Sequence, residues 1–231
     1  MRRAIIMAIL ALAACDAGDM DAVSLPVSQH RSAESFDIAV SRVLPEAAAR
    51  CRALDPSRSC DFQIVVDDRP GRAPNAFQSL GADGDPVLTF TAALIAGARN
   101  PDEIALIVAH EAAHHIDGHL AQVNRKVALA LGQDDPPGPA LGAAQDAVPP
   151  AGAWSDVHAS LRAFELAADA RAAEIVTATG FDAMKGAEIF LRLPAPPAHA
   201  TASHPANAER VRAVRRARSR EIEVGQFCFA C

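Results

Sequence analysis

His110-Glu111-Ala112-Ala113-His114 places two histidines four residues apart, with a glutamate beside the first. On a helix, positions i and i+4 project from one face about a turn apart. Both imidazoles can then reach one Zn²⁺ at about 2.0–2.1 Å, while Glu111 reaches the coordination position left open to water. That arrangement suits metal-assisted hydrolysis. A catalytic zinc needs a third protein ligand, a carboxylate or histidine carried in by another element. Phe164-Glu165-Leu166-Ala167-Ala168-Asp169 offers two acids at i and i+4 inside an alanine-rich helical stretch, where carboxylates are costly to bury without a purpose.

The elements that must position these groups can be read from the surrounding pattern. Asn100-Pro101-Asp102-Glu103 has the signature of a helix start: a capping Asn, Pro at the first helical position and Glu three residues after the cap. One helix is expected from there through Leu120 to about Leu131. A second long helix is expected over residues 155–179, stopped by Gly180, a third over 182–192 and a last over 206–223. Upstream, Phe36, Val40, Val43, Leu44 and Ala47 fall at helical spacing, predicting a first helix to about Cys51 with a bend at Pro45. Residues 62–66, 75–79 and 87–90 read as short strands, so a small sheet precedes the zinc-binding helix.

Composition narrows the class. Fifty-two of the 231 residues are alanine, which packs helices and buries little area, and one mid-sized domain is expected. No Tyr, one Trp and a net charge of −6 argue against nucleic acid as a partner. Met1-Arg2-Arg3 precedes eleven uncharged residues, too few to span a bilayer but suited to a signal-peptide core. Leu12-Ala13-Ala14-Cys15 resembles the lipobox of bacterial lipoproteins, in which Cys15 is lipidated after cleavage of residues 1–14. The mature chain would then have 20 basic against 28 acidic residues, a net −8, and would sit on a membrane surface by lipid alone. Asp16, beside that cysteine, resembles the inner-membrane retention signal of enterobacterial lipoproteins, and the lipid could sit in either the inner or the outer membrane. Residues 15–32 read as a tether, 33–223 as the domain carrying the His and Glu motifs, with a Pro-rich loop at 133–152, and 224–231 as a cysteine-containing tail.

Beyond Cys15, four cysteines remain in a compartment that permits disulfides: Cys51, Cys60, Cys228 and Cys231. Pairing 51 with 60 and 228 with 231 is the natural reading, although four cysteines allow three connectivities. A zinc site made of the four fits an oxidising compartment poorly.

Together the motifs resemble the HtpX-like and CAAX-prenyl-protease family of zinc metallopeptidases, of the gluzincin type. The resemblance covers about residues 33–220 and includes Asn75-Ala76-Phe77, similar to the family's edge strand, Gly180-Phe181-Asp182 and Ser203-His204-Pro205. It departs where a Gly-Gly turn is expected and Gly81-Ala82-Asp83-Gly84 stands, and in having no transmembrane helices of the HtpX kind. The resemblance implies a mostly helical α+β gluzincin fold with one Zn²⁺ held by His110, His114 and Glu165. It further implies Glu111 as general base and Asp169 as the carboxylate that orients a ligand histidine. His204 is the candidate for a remaining polar duty, stabilising an oxyanion or serving as a ligand that holds the enzyme latent. Asn75, Ala76 and Phe77 are candidates to bind substrate as an added strand.

His115 and His119 repeat the i, i+4 spacing but are rotated by about 100° and expected to face away as packing or supporting residues. Arg210 and the other arginines of the last helix read as a solvated face. The expected function is a lipid-anchored, periplasm-facing zinc endopeptidase of the bacterial envelope, acting on extended or misfolded polypeptides. The rival reading is an inactive zinc-containing scaffold or holdase. Oligomeric state is not legible.

Overall fold

The computed structural model describes residues 27–132, 153–193 and 205–228, with side chains over 31–132, 155–193 and 205–219. Cys15, His204, Cys231 and the Pro-rich loop lie outside the described residues, as does the side chain of Cys228. The order is α1 (Val27–Leu54), β1 (Gln63–Asp67), β2 (Ala76–Leu80), β3 (Pro86–Thr91), α2 (Ala92–Gly97), α3 (Pro101–Ile116), α4 (His119–Ala130), α5 (Ala153–Ala178), α6 (Ala183–Gly186) and, after a 3-10 turn at Ala187–Leu191, α7 (Asn207–Cys228). This is the expected α+β fold, mostly helical, with a small sheet ahead of the helix that carries His110. Among the described residues no helix is long and apolar enough to cross a membrane.

Helix α3 is the central element. It packs against α1 and α5, and α5 in turn against α7. Alanines line these helices: Ala105, Ala109, Ala112 and Ala113 on α3 and Ala168, Ala172 and Ala173 on α5 are all fully buried. Their small volume lets helix axes approach toward the short end of the ordinary 8–10 Å range. Closer still is Gly186, where a Cβ would stand 2.7 Å from the Asp102 carbonyl oxygen of α3.

The sheet has order β1-β3-β2, with β3 parallel to β1 and antiparallel to β2. Its middle strand buries Leu88 and Phe90, and Phe36 of α1 meets Phe90 edge-on at 5.2 Å. β2 is an edge strand, one residue later than expected. Asn75 lies just before it, its carbonyl oxygen accepting from the Thr91 backbone N–H at 2.9 Å.

Other expectations need correction. Helix α1 starts at Val27, inside the stretch that reads as a tether, and runs to Leu54; it stays helical through Pro45, where the Ser41 carbonyl loses its usual partner at an exposed position that water can reach. The 182–192 segment is a four-residue helix followed by the 3-10 turn, and α7 continues to Cys228, into what reads as a tail. The short helix α2, capped by Thr91 Oγ1 accepting from the Leu94 N–H at 3.3 Å, is absent from the sequence reading.

The largest correction concerns the helix from Asn100. Its start is as expected: Asn100 Oδ1 accepts the Glu103 N–H at 3.0 Å. Its end comes at Ile116, because Gly118 takes φ = 66° and turns the chain into α4. Arg58 donates to the freed carbonyls of His115 and Ile116 at 2.5 and 2.6 Å. Asp117 accepts from Arg171 Nε of α5 at 2.7 Å. Arg58 sits in the loop closed by a disulfide between Cys51 and Cys60, which staples the end of α1 to the segment entering β1. At the other end of α3, the fully buried Glu103 accepts two hydrogen bonds of 2.6 Å from the Arg192 guanidinium.

Candidate metal centre

His110 and His114 occupy one face of α3 near its end, their Nε2 atoms 3.1 Å apart. Helix α5 supplies Glu165, whose Oε2 lies 3.5 Å from His110 Nε2 and whose Oε1 lies 3.5 Å from His114 Nε2. These three side chains form the group able to hold a metal ion among the described residues. The fit can be judged from the triangle itself. Donors arranged tetrahedrally at 2.0–2.1 Å from zinc are separated by about 3.3–3.4 Å; the two imidazole nitrogens stand 3.1 Å apart, each has its own Glu165 oxygen at 3.5 Å, and one donor atom from each of the three residues lies within 4.8 Å of the others. Two nitrogens and one carboxylate oxygen are also a donor set zinc accepts.

Each of the two histidines is held from behind. His110 Nδ1 lies 2.9 Å from Asp169 Oδ1, one turn along α5 from Glu165. Thus the i, i+4 acids divide the work: Glu165 meets the Nε2 atoms of both histidines and Asp169 meets Nδ1 of His110. Asp169 is fully buried and is held by Arg210 of α7 through Nε–Oδ2 at 2.8 Å and Nη2–Oδ1 at 2.7 Å. Arg210 therefore does not lie on a solvated face. It is 8% exposed, its guanidinium lies 4.0 Å from the Phe190 ring centroid, and its Nη2 reaches within 3.8 Å of Glu165 Oε2. The signal was legible: Arg210, Ala213, Val214 and Ala217 fall on one buried stripe of α7, and an arginine on such a stripe needs a partner.

His115 and His119 part company because of the turn at Gly118. His115 points away, as expected, its Nε2–H donating to the Ser59 carbonyl oxygen at 2.7 Å. His119 instead turns back to the site, its Nδ1 3.1 Å from His114 Nδ1 and its ring stacked on Phe164 of α5.

The protein groups alone set contrasting charges on neighbouring side chains. Burial opposes protonation of His110, but hydrogen bonds to Asp169 and Glu165 outweigh it and push the imidazole up to about 10. Burial and then the charge on His110 push His114 down to about 3. Glu111, 8% exposed and without a hydrogen bond from any described residue, is raised by burial to about 7. Asp169 is held below the ordinary carboxylate range: burial opposes this, and the hydrogen bonds from His110 and Arg210 overcome it. A carboxyl poised near neutrality beside three convergent donors can exchange a proton with a molecule held there.

Residues 37–218 match the family model described as Peptidase family M48. No curated protein and no solved structure matches the chain significantly.

Proposed function

The chain belongs to peptidase family M48, zinc metallopeptidases of the HtpX and CAAX-protease type, and on that premise we propose that it is a zinc-dependent endopeptidase cutting extended or misfolded polypeptides of the bacterial envelope. The observation that carries this reading is the donor triangle of His110, His114 and Glu165 with the unpaired, near-neutral carboxyl of Glu111 beside it. Zinc, which His110, His114 and Glu165 would hold, would supply Lewis acidity there, polarising a carbonyl and lowering the pKa of water toward about 7.

The chain's own groups do the rest. Glu111 takes a proton from the attacking water and returns it to the leaving amine nitrogen. Asp169 fixes His110 with Nε2 toward the triangle, and Arg210 keeps Asp169 ionised and in place. Edge strand β2, with Phe77 half-exposed, pairs with extended substrate main chain, which favours unfolded segments over any one sequence. His204, just ahead of the buried Pro205 and six residues before Arg210, stabilises the developing oxyanion. The signal-like segment 1–14 and Cys15 support a lipid-anchored enzyme facing the periplasm, a placement that labelling of Cys15 with radioactive palmitate, against Cys15→Ser, tests.

The deciding experiment measures bound zinc and casein cleavage for wild type and Glu111→Gln. Equal zinc with cleavage only by the wild type supports the peptidase; zinc without cleavage in either overturns it.

A further inference from the structure

Only one of the two ligand histidines has a carboxylate behind it. His110 has Asp169; no carboxylate lies within hydrogen-bond distance of His114 Nδ1 among the described residues, and the atom found there is His119 Nδ1 at 3.1 Å. We propose that His119 is the positioning residue for His114, accepting a hydrogen bond from its Nδ1–H and so fixing both the tautomer and the ring orientation that aim Nε2 at the metal.

A histidine that ligates through Nε2 is neutral and carries its remaining proton on Nδ1. Two nitrogens 3.1 Å apart then share that single proton as donor and acceptor, which requires His119 to present a bare Nδ1.

Three structural features hold His119 for this. Gly118, at φ = 66°, ends α3 and sets His119 at the first position of α4, so that it approaches His114 from a second helix. The His119 ring stacks on Phe164, centroids 4.5 Å apart and planes at 19°, and Phe164 is the residue before the ligand Glu165. Finally, the His114 and His119 rings stand with centroids 5.1 Å apart and planes at 73°, a placement that brings their Nδ1 atoms to 3.1 Å. Glu165, His119 and Phe164 thus form one unit across α4 and α5, and a shift of either helix is felt at two sides of the metal site.

This inference rests on the proposal that His110, His114 and Glu165 hold zinc, and its test separates the two. Asn and Leu have nearly the same shape, both lose the stack on Phe164, and Asn alone keeps an acceptor near the Nδ1 position. Full-length wild type, His119→Asn and His119→Leu are compared for Zn²⁺ affinity by competition with a chromophoric chelator, and for the visible spectrum of the Co²⁺-loaded forms. Expected is a loss of about 10–100-fold in affinity for Leu with a changed Co²⁺ spectrum, and substantial recovery for Asn. Equal losses for Asn and Leu, or a Leu affinity equal to wild type, overturn the role of His119. A wild type that binds no metal overturns the ligand assignment and this inference with it. Should the Leu variant not fold, zinc-loaded wild type labelled with ¹⁵N-histidine decides: a scalar coupling between His114 Nδ1–H and His119 Nδ1 supports the hydrogen bond, and its absence sinks it.

Discussion

Asp169 holds His110 and is itself held by Arg210: one oxygen stands 2.9 Å from the imidazole Nδ1, and both oxygens accept from the guanidinium. The three groups come from three helices, α5, α3 and α7. Because the pair is buried, removing one partner leaves an uncompensated charge, which costs about 3–5 kcal/mol. Arg210→Met is therefore expected to destabilise the fold by about that much, and Asp169→Asn to weaken zinc binding about 10–100-fold. Together the two substitutions should cost clearly less than their sum, since the double variant no longer strands a charge. Urea unfolding of the two single variants and the double variant checks this.

Zinc binding should release a proton from His110. With its pKa at about 10 among the protein groups alone, the imidazole is charged at pH 8 and must lose its Nε2 proton to become a ligand. Apparent affinity should rise roughly tenfold per pH unit below about pH 10 from this group. Stability of the metal-stripped chain should run oppositely. A raised histidine pKa stabilises fully below the unfolded value of about 6.5, and that contribution is lost as pH rises toward 10. Calorimetry in buffers of different ionisation enthalpy counts the proton directly; zero release would contradict the assignment.

Gly118→Ala should destabilise the protein by about 1–2 kcal/mol. The residue sits at φ = 66°, where a side chain is strained by roughly 1–2 kcal/mol. A Cβ there would also stand 3.0 Å from Arg58 Nη2, pressing on the guanidinium that caps α3. Chemical denaturation measures the loss.

Replacing both Cys51 and Cys60 by Ser should lower stability by about 2–3 kcal/mol, as expected for opening a short loop, while zinc binding survives. The disulfide ties α1 to the entry of β1, and its loop reaches the metal site only indirectly, through Arg58 and Ser59 at the end of α3. Thermal melts with and without reductant, followed by zinc measurement, separate the two effects.

His204→Ala should retain zinc and slow cleavage about 10²–10³-fold, the usual loss on removing one oxyanion donor. A variant that cleaves faster than wild type would instead assign His204 to the latent state. Single-turnover peptide cleavage with parallel zinc measurement distinguishes them.

Features written in short-range pattern could be read directly from the chain. The His-Glu-x-x-His spacing needs only a helix to converge, the Asn100 cap is local, the strands expected at 62–66 and 87–90 form within one residue of those bounds, and Cys51 and Cys60 lie nine residues apart. The tertiary structure alone decided what meets what over long separations. Glu165 rather than another acid stands 3.5 Å from both histidines because alanine-lined helices can approach closely, a property summed over many side chains and not carried by any one. Arg210 is buried because Asp169 waits 41 residues earlier in the chain, and charge on an isolated helix reads as solvated until its partner is known. His119 faces His114 because one glycine, braced by Arg58 from a distant loop, takes a left-handed turn that helical periodicity cannot anticipate.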